Sequence, residues 1–285
     1  LPAEKNRGIT IELGFAPWQI TENLVADIID VPGHEKFVRT MSGGVAAVDM
    51  VLLLAAADEG FMAQTREHLA IISLLGIEKG VVVISKADLV SADDIEILKK
   101  EIRLELAGSV LAAAPIIAVS SANGEGLEDL KKTVAEVAAS IKNSIKNADR
   151  SQEKSISRLP VDRCFSIKGF GTVVTGTLWS GGFAVGDNVN VFTAESTPRK
   201  LSAKIRRLEV NGKNVQKSCG KQRLALNLPA LTKQEIACGS WICSDDLIAV
   251  HTVLVDFYLL KNAKPLKNNA PVHVRFGGRE VNGRI

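Results

Sequence analysis

Five consecutive residues, Asp30-Val31-Pro32-Gly33-His34, combine a carboxylate, a stiff turn, a residue without a side chain and an imidazole. They follow the apolar run of residues 24–29, so the carboxylate falls at the end of an expected buried strand. An Asp there can hold a magnesium ion through water, as the second acidic anchor of phosphate-loop enzymes does. Pro32 stiffens the turn, and Gly33 lets its backbone N–H approach a phosphate oxygen closely. His34 would then face the nucleotide and orient an attacking water. Phosphoryl transfer needs mostly positioning, so a neutral imidazole suffices. Asp-x-Pro-Gly is also an ordinary strand-to-helix turn, and on these residues alone both readings stand.

Two further stretches favour the nucleotide. "VVVISKADLV", residues 81–90, sets Ser85, Lys86 and Asp88 just after a second apolar run. A carboxylate at Asp88 can accept from both N1–H and N2–H₂ of guanine, whereas adenine offers neither donor on that edge. The alkyl stem of Lys86 can lie along the base plane. "AVSSANGEG", residues 118–126, follows a third run and presents backbone N–H groups near Ser121 and Ala122 to the guanine O6. Lys-x-Asp alone is common, but the three strand-end motifs in this order and spacing point to guanine-nucleotide binding. Upstream, the Thr10 hydroxyl could complete a magnesium shell while a γ-phosphate is present and release it afterwards. Taken alone, residues 9–13 read as the start of a strand. No Gly-x₄-Gly-Lys-[Ser/Thr] occurs: Gly212-Lys213 is followed by Asn214, and Gly220-Lys221 by Gln222. That phosphate loop is expected on a strand–helix unit before Leu1.

The elements that must position these residues change character near residue 145. Runs at 24–29, 51–56, 81–84 and 116–119 read as strands buried on both faces. Helical patterns occupy 35–44, 62–75, 92–106 and 127–145. Ser91 is an expected N-cap, with Asp93 and Asp94 in the first turn, and Gly76 an expected C-terminal glycine. Strand–helix alternation implies a parallel sheet with helices on both faces and a ligand beyond the strands' carboxyl ends. A polar stretch, residues 143–157, reads as a linker. Short strands follow at 161–167, 172–179, 188–193, 204–210, 223–228 and 240–243, spaced as in a closed antiparallel barrel. Runs at 252–260 and 272–276 begin one more β-domain.

The 285 residues, 46% of them hydrophobic, suffice for about two domains. No apolar run approaches the roughly 20 residues of a membrane helix. Cys164, Cys219, Cys238 and Cys243 never form Cys-x-x-Cys and have no neighbouring histidine, which favours reduced cytosolic thiols over a zinc site. A net charge of +3 permits RNA as a partner without arguing for it. Trp18, Trp179 and Trp241 read as packing residues, His68 as helix surface or a domain contact. His251 and His273 lack a metal-ligating neighbour. The basic residues of 199–207 could meet RNA phosphates or form a solvated strand face.

"RGITI" at 7–11, "DVPGH" at 30–34, Lys86-x-Asp88 and Ser121-Ala122 resemble the translational GTPases of the elongation factor Tu type. "GFGTVVTGTLWSG" (169–181), "VGD" (185–187) and "GKQRLALNL" (220–228) are similar to that family's second, barrel domain. Within the family, "TIELGFA", "PGHEKFVRTM", "PVDRCFSIKGFGTVVTGT" and "APVHVRFGGREVNGRI" most resemble the bacterial selenocysteine-specific elongation factors.

The resemblance implies a P-loop-type α/β GTPase domain over 1–145 without its P-loop and a linker at 146–157. It further implies a translation-factor β-barrel at 158–246 and a truncated start of a third, barrel domain at 247–285. It implies GTP/GDP and Mg²⁺ as cofactors, with Thr10 and Asp30 at the magnesium and switch positions and Gly33 at the γ-phosphate. It makes His34 the water-orienting histidine, and Lys86 and Asp88 the guanine pair. Ser85 replaces the usual Asn of that motif. Asp162, Arg163 and Arg223 match positions proposed to surround a selenocysteinyl group. Two guanidinium groups would favour a selenolate and be left unpaired against serine.

The implied activity is GTP-dependent delivery of selenocysteinyl-tRNA to the ribosome, in the cytoplasm, by a GTPase. The present segment is expected to be inactive without a P-loop. The selenoprotein messenger-RNA hairpin would bind C-terminal domains absent from this sequence. A general aminoacyl-tRNA carrier or another translational GTPase remains open. So does a GTPase-derived, non-enzymatic RNA-binding protein.

Overall fold

The computed structural model describes residues 10, 13–34, 48–148, 155–195, 197–218, 220–248, 250–259, 263–277 and 279–285. The expected helix at 35–44, most of "RGITI", residues 149–154 of the expected linker and Cys219 lie outside them. The chain divides into two compact units, Leu1–Asp149 and Arg150–Ile285.

The first unit is built on a parallel sheet in the order β3 (Val51–Ala56), β4 (Gly80–Ser85), β5 (Ile116–Ala118). Parallel neighbours need long crossovers. Helix α1 (Ala63–Leu74) makes the first and α2 (Ala92–Glu105) the second, while α3 (Leu127–Ala148) follows β5. The central strand shows why the sequence ran apolar without alternation. Val82 and Ile84 pack with Leu69 and Ile72 of α1 and Leu98 and Ile102 of α2. Val81 and Val83 pack with Leu130 and Val134 of α3. Successive side chains point to opposite faces, and both faces are covered.

Local signals set the helix ends. Ser91 closes a reciprocal capping box: its hydroxyl accepts from the Asp94 N–H at 3.2 Å, and its own N–H donates to the Asp94 carboxylate at 3.3 Å. Helix α1 stops at Leu75, and Gly76 takes φ +68°.

Residues 24–29 depart from expectation. They belong to β2 (Leu24–Asp30), which pairs antiparallel with β1 (Gly14–Thr21) in a separate two-stranded sheet. No residue of β2 is buried. Among the described residues it packs through one face, by Leu24 and Ala26, against the cluster that α3 covers. A strand covered on one side and paired on one edge cannot bury the alternate residues.

The second unit holds eight antiparallel strands: β6 (Arg158–Ile167), β7 (Gly171–Thr177), β8 (Asn188–Phe192), β9 (Lys200–Lys204), β10 (Arg207–Val210), β11 (Lys213–Asn214), β12 (Arg223–Asn227) and β13 (Trp241–Cys243). Their hydrogen-bonded order is β11-β10-β12-β7-β6-β13-β8-β9. The expected single strand at 204–210 is thus two strands, β9 at one end of that order and β10 next to the other. Only Ile205 and Arg206 separate them, so the sheet must curl back on itself. Leu159, Val174, Val191, Ala203, Leu208, Leu226 and Ile242, from seven of the strands, share one core. The ladder itself is open, and packing closes the barrel.

A hairpin of β14 (Pro271–Phe276) and β15 (Arg279–Arg284) follows. Phe276 stacks on Trp241 at 6.3 Å between centroids, and Trp241 meets Trp179 edge-on at 4.9 Å. Both tryptophans of this unit therefore pack against other rings. The expected strand at 252–260 does not form among the described residues: 252–259 have no ladder partners, and Leu254 and Tyr258 stand exposed.

Candidate functional site

In the first unit the candidate residues gather at strand ends. Asp30 is the last residue of β2 and lies across from Gly14, the first of β1. A Cβ on Gly14 would approach the Asp30 side chain to 3.1 Å, so this register keeps the carboxylate close to the neighbouring backbone. The Thr10 hydroxyl donates to the Asp30 carboxylate at 3.4 Å. Two hard oxygens side by side, one charged and one neutral, suit magnesium, which takes few protein ligands and fills its shell with water and phosphate. Among the described residues no group of three metal-ligating side chains occurs.

Pro32 is buried; Gly33 and His34 are half-buried beyond it. The Gly33 carbonyl accepts from His68 Nε2 of α1 at 2.8 Å. His68, expected on the helix surface or in a domain contact, is instead part of the loop's support.

At the end of β4, Ser85 is half-buried. Lys86 takes a left-handed conformation, φ 57°, and Asp88 lies exposed in the 3₁₀ turn Ala87–Leu89. Left-handed backbone is uncommon for a residue with a side chain and must be held by its surroundings. The Ala87 N–H donates to the Val119 carbonyl at 3.0 Å, tying this turn to the β5 end. Lys86 Nζ lies 3.0 Å from Asp58 Oδ2 and 3.6 Å from Glu59 Oε1, at the end of β3. The hydrogen bond to Asp58 raises the ammonium above the usual lysine range, so Lys86 stays charged. Sequence reasoning missed Asp58 and Glu59, although carboxylates directly after the run at 51–56 satisfy the strand-end rule.

At the end of β5, Ser121 and Ala122 are exposed in a turn. The fully buried Ser120 hydroxyl accepts the Ala122 N–H at 3.2 Å. Of the two amides expected to face guanine O6, that of Ala122 is directed inward here. Gly126 closes the turn with φ +72°; a Cβ there would lie 2.1 Å from the Ala118 carbonyl oxygen.

In the second unit Asp162 is the extra residue of a β-bulge in β6, where Val161 pairs with Gly176 and Arg163 with Thr175. Its carboxylate meets Arg223 of β12 in a two-pronged ion pair, with Nη2 2.9 Å from Oδ1. Thr175 Oγ1 of β7 donates to Asp162 at 2.7 Å and accepts from Arg223 Nη2 at 3.0 Å. Only 17% of the Arg223 side chain and 22% of that of Asp162 are exposed. Arg163, next in sequence, is exposed. The structure therefore couples Asp162 with Arg223 and adds Thr175, which sequence reasoning did not single out. Its place opposite the bulge could not be known before the register was.

The basic run at 199–207 is largely engaged. Arg199 pairs with Glu195, Lys200 with Asp246, and Arg207 lies over the Phe170 ring at 4.5 Å. His273 pairs with Glu280 at 3.0 Å. Among the described residues, no helix is long and apolar enough to cross a membrane.

Residues 1–140 match the elongation factor Tu GTP-binding domain. Over its whole length the chain is 42% identical to the selenocysteine-specific elongation factor of Desulfomicrobium baculatum, covering 43% of that protein. It is 34% identical to the one from Escherichia coli K12, covering 44% of it. The crystal structure of a bacterial selenocysteine-specific elongation factor superposes on the whole chain with a TM-score of 0.85 at 31% identity, over 46% of that chain. The chain thus spans less than half the length of each of these three relatives. Residues 1–140 thus carry the elongation factor Tu GTP-binding domain, and selenocysteine-specific elongation factors are homologues of the chain over its whole length.

Proposed function

We propose that the whole protein is a GTP-hydrolysing carrier that delivers selenocysteinyl-tRNA to the ribosome in the cytoplasm. The observation that carries this reading is the gathering of Asp30, Lys86-x-Asp88 and Ser121-Ala122 at the ends of three strands of one unit. Residues 1–145 then form the nucleotide-binding domain and 146–157 its linker, of which 146–148 still continue α3, while 158–246 form the second domain and 247–285 the start of a third.

Asp88 accepts from the two donors of the guanine edge, and Lys86 covers the base with its stem while Asp58 holds its head. Ser85 supplies a hydroxyl where the family's Asn would stand. Ser121 and Ala122 frame the O6 side. Thr10 and Asp30 would hold magnesium, Asp30 through water, and the ion would neutralise charge developing on the phosphates. Gly33 offers its N–H to the γ-phosphate and His34 aims the water.

In the second unit, Asp162, Arg163 and Arg223 together carry one net positive charge. A selenolate neutralises it and a serine hydroxyl does not, which favours selenocysteinyl- over seryl-tRNA. Partner RNA and ribosome are supported by the relatives' names, since these are elongation factors for selenocysteine.

The test is Asp88→Asn in the whole protein, with GTP and xanthosine triphosphate titrated in parallel. Preference should pass to xanthosine triphosphate, and unchanged GTP affinity would remove the guanine assignment. Protection of selenocysteinyl-tRNA from hydrolysis, set against seryl-tRNA, separates this carrier from a general one.

A further inference from the structure

We infer that His68 is a positioning residue of the nucleotide switch, holding the Gly33–His34 peptide from helix α1. The inference rests on the GTPase reading above. A carbonyl oxygen can only accept, so the 2.8 Å contact with the Gly33 oxygen requires the hydrogen on His68 Nε2. That oxygen and the His34 N–H belong to one planar peptide unit. Fixing the oxygen fixes the plane from which the His34 side chain departs.

A second contact constrains the same point. A Cβ on Gly33 would lie 3.1 Å from His68 Cε1, so the imidazole packs against the bare Cα of Gly33. The ring is steadied from below, because the next residue, Leu69, and Ile72 are buried in the core shared by α1, α2 and the sheet. The loop and the ring therefore meet as backbone against a side chain on an anchored helix. No flexible linker intervenes.

Helix α1 is also joined to the other end of the nucleotide site. The segment that leads into it carries Asp58 and Glu59, which hold Lys86. One element, running from the end of β3 through α1, thus touches the base-reading turn with its first residues and the γ-phosphate loop with His68. A single hydrogen bond of this kind is weak enough to break when the loop moves and strong enough to bias where it rests. That is the property needed of a contact that sets the His34 approach angle without locking the switch.

The experiment compares His68→Ala and His68→Gln with wild type in the whole protein, reading fluorescent GDP affinity, fluorescent GTP affinity and single-turnover GTP hydrolysis. His68→Ala should slow hydrolysis about tenfold, the worth of one lost hydrogen bond. GDP affinity should change less than about twofold on the same scale, because GDP makes no γ-phosphate contact. Gln offers an amide donor of similar reach and should restore most of the rate. Hydrolysis unchanged in the Ala variant would overturn the inference. So would equal losses in GDP affinity and hydrolysis that Gln does not repair, which would mark His68 as merely structural. Should Ala unfold the protein, the Gln variant decides: near-wild-type hydrolysis supports the inference and a tenfold loss in a folded Gln variant overturns it. A wild-type protein that binds no guanine nucleotide would instead sink the GTPase reading itself.

Discussion

Arg223 and Asp162 face each other across an intervening strand, and Thr175 on that strand hydrogen-bonds to both. Each ion is mostly removed from water, so either one alone would be a desolvated, unpaired charge. Asp162→Ala or Arg223→Ala should therefore destabilise the second unit by about 3 kcal/mol. The double variant should cost clearly less than the sum, with a coupling of about 1–3 kcal/mol in a double-mutant cycle followed by denaturant unfolding. Additive losses would show that the pair is not a unit. Arg223→Lys should not rescue, since an ammonium cannot reproduce the two-pronged geometry.

Cys243 is fully buried beside the barrel core, and burial pushes its thiol from an ordinary value of 9.0 up to about 11, with Arg158 opposing weakly. Because the folded value is the higher one, the folded state keeps a proton that the unfolded chain loses first. Stability should hold below pH 9, fall as pH rises from there, and level off above about 11. At pH 8 iodoacetamide followed by mass spectrometry should leave Cys243 unmodified in native protein and label it after denaturation. Cys238, exposed, should react in native protein, but slowly, since burial of the sulfur and then Asp162 both raise its thiol.

Gly126 sits in left-handed backbone with the Ala118 carbonyl 2.1 Å from where a Cβ would be. Gly126→Ala should cost at least about 2 kcal/mol and displace the Ser121–Ala122 turn, because a backbone atom cannot step aside as a side chain could. Guanine-nucleotide affinity of the whole protein should drop with it. A variant with wild-type melting and wild-type affinity would contradict the role given to this turn.

Ser91→Ala removes the hydroxyl half of the capping box at the start of α2, while the backbone N–H of residue 91 can still donate to Asp94. The expected loss is about 1 kcal/mol of stability, read from denaturant midpoints. Nucleotide affinity should not move, which separates helix capping from the chemistry of the site.

How far the sequence could be read depended on whether a residue's partner was local. β3 occupies the run expected of it, and Ser91 and Gly76 bound their helices as their types predict, because capping is decided within four residues. The break at Ile205–Arg206 was hidden because Ile205 is buried in the barrel core, so an apolar residue stands where a turn signal would have been. Residues 252–259 show the opposite failure. Thr-Val-Leu-Val has strand propensity, but a strand exists only with a neighbour, and none lies beside it among the described residues. The site divides the same way. Asp30, Lys86 and Asp88 declared themselves through motif spacing, and Asp58 was within reach of the strand-end rule, whereas Thr175 and His68 emerge only when register and packing bring distant residues together.

The strand β13 pairs with β6 on one side and β8 on the other, and it is three residues long. It is also the last strand of the barrel to be synthesised. As the chain leaves the ribosome, β6, β7, β10, β11 and β12 can form one ladder and β8 with β9 another, long before Trp241 emerges. At about 5–20 residues per second these two pieces would wait a second or more for the strand that joins them. Folding of this unit is thus timed by its shortest barrel-joining element, and slowing translation just before Trp241 should prolong exposure of the core that Ile242 finally covers.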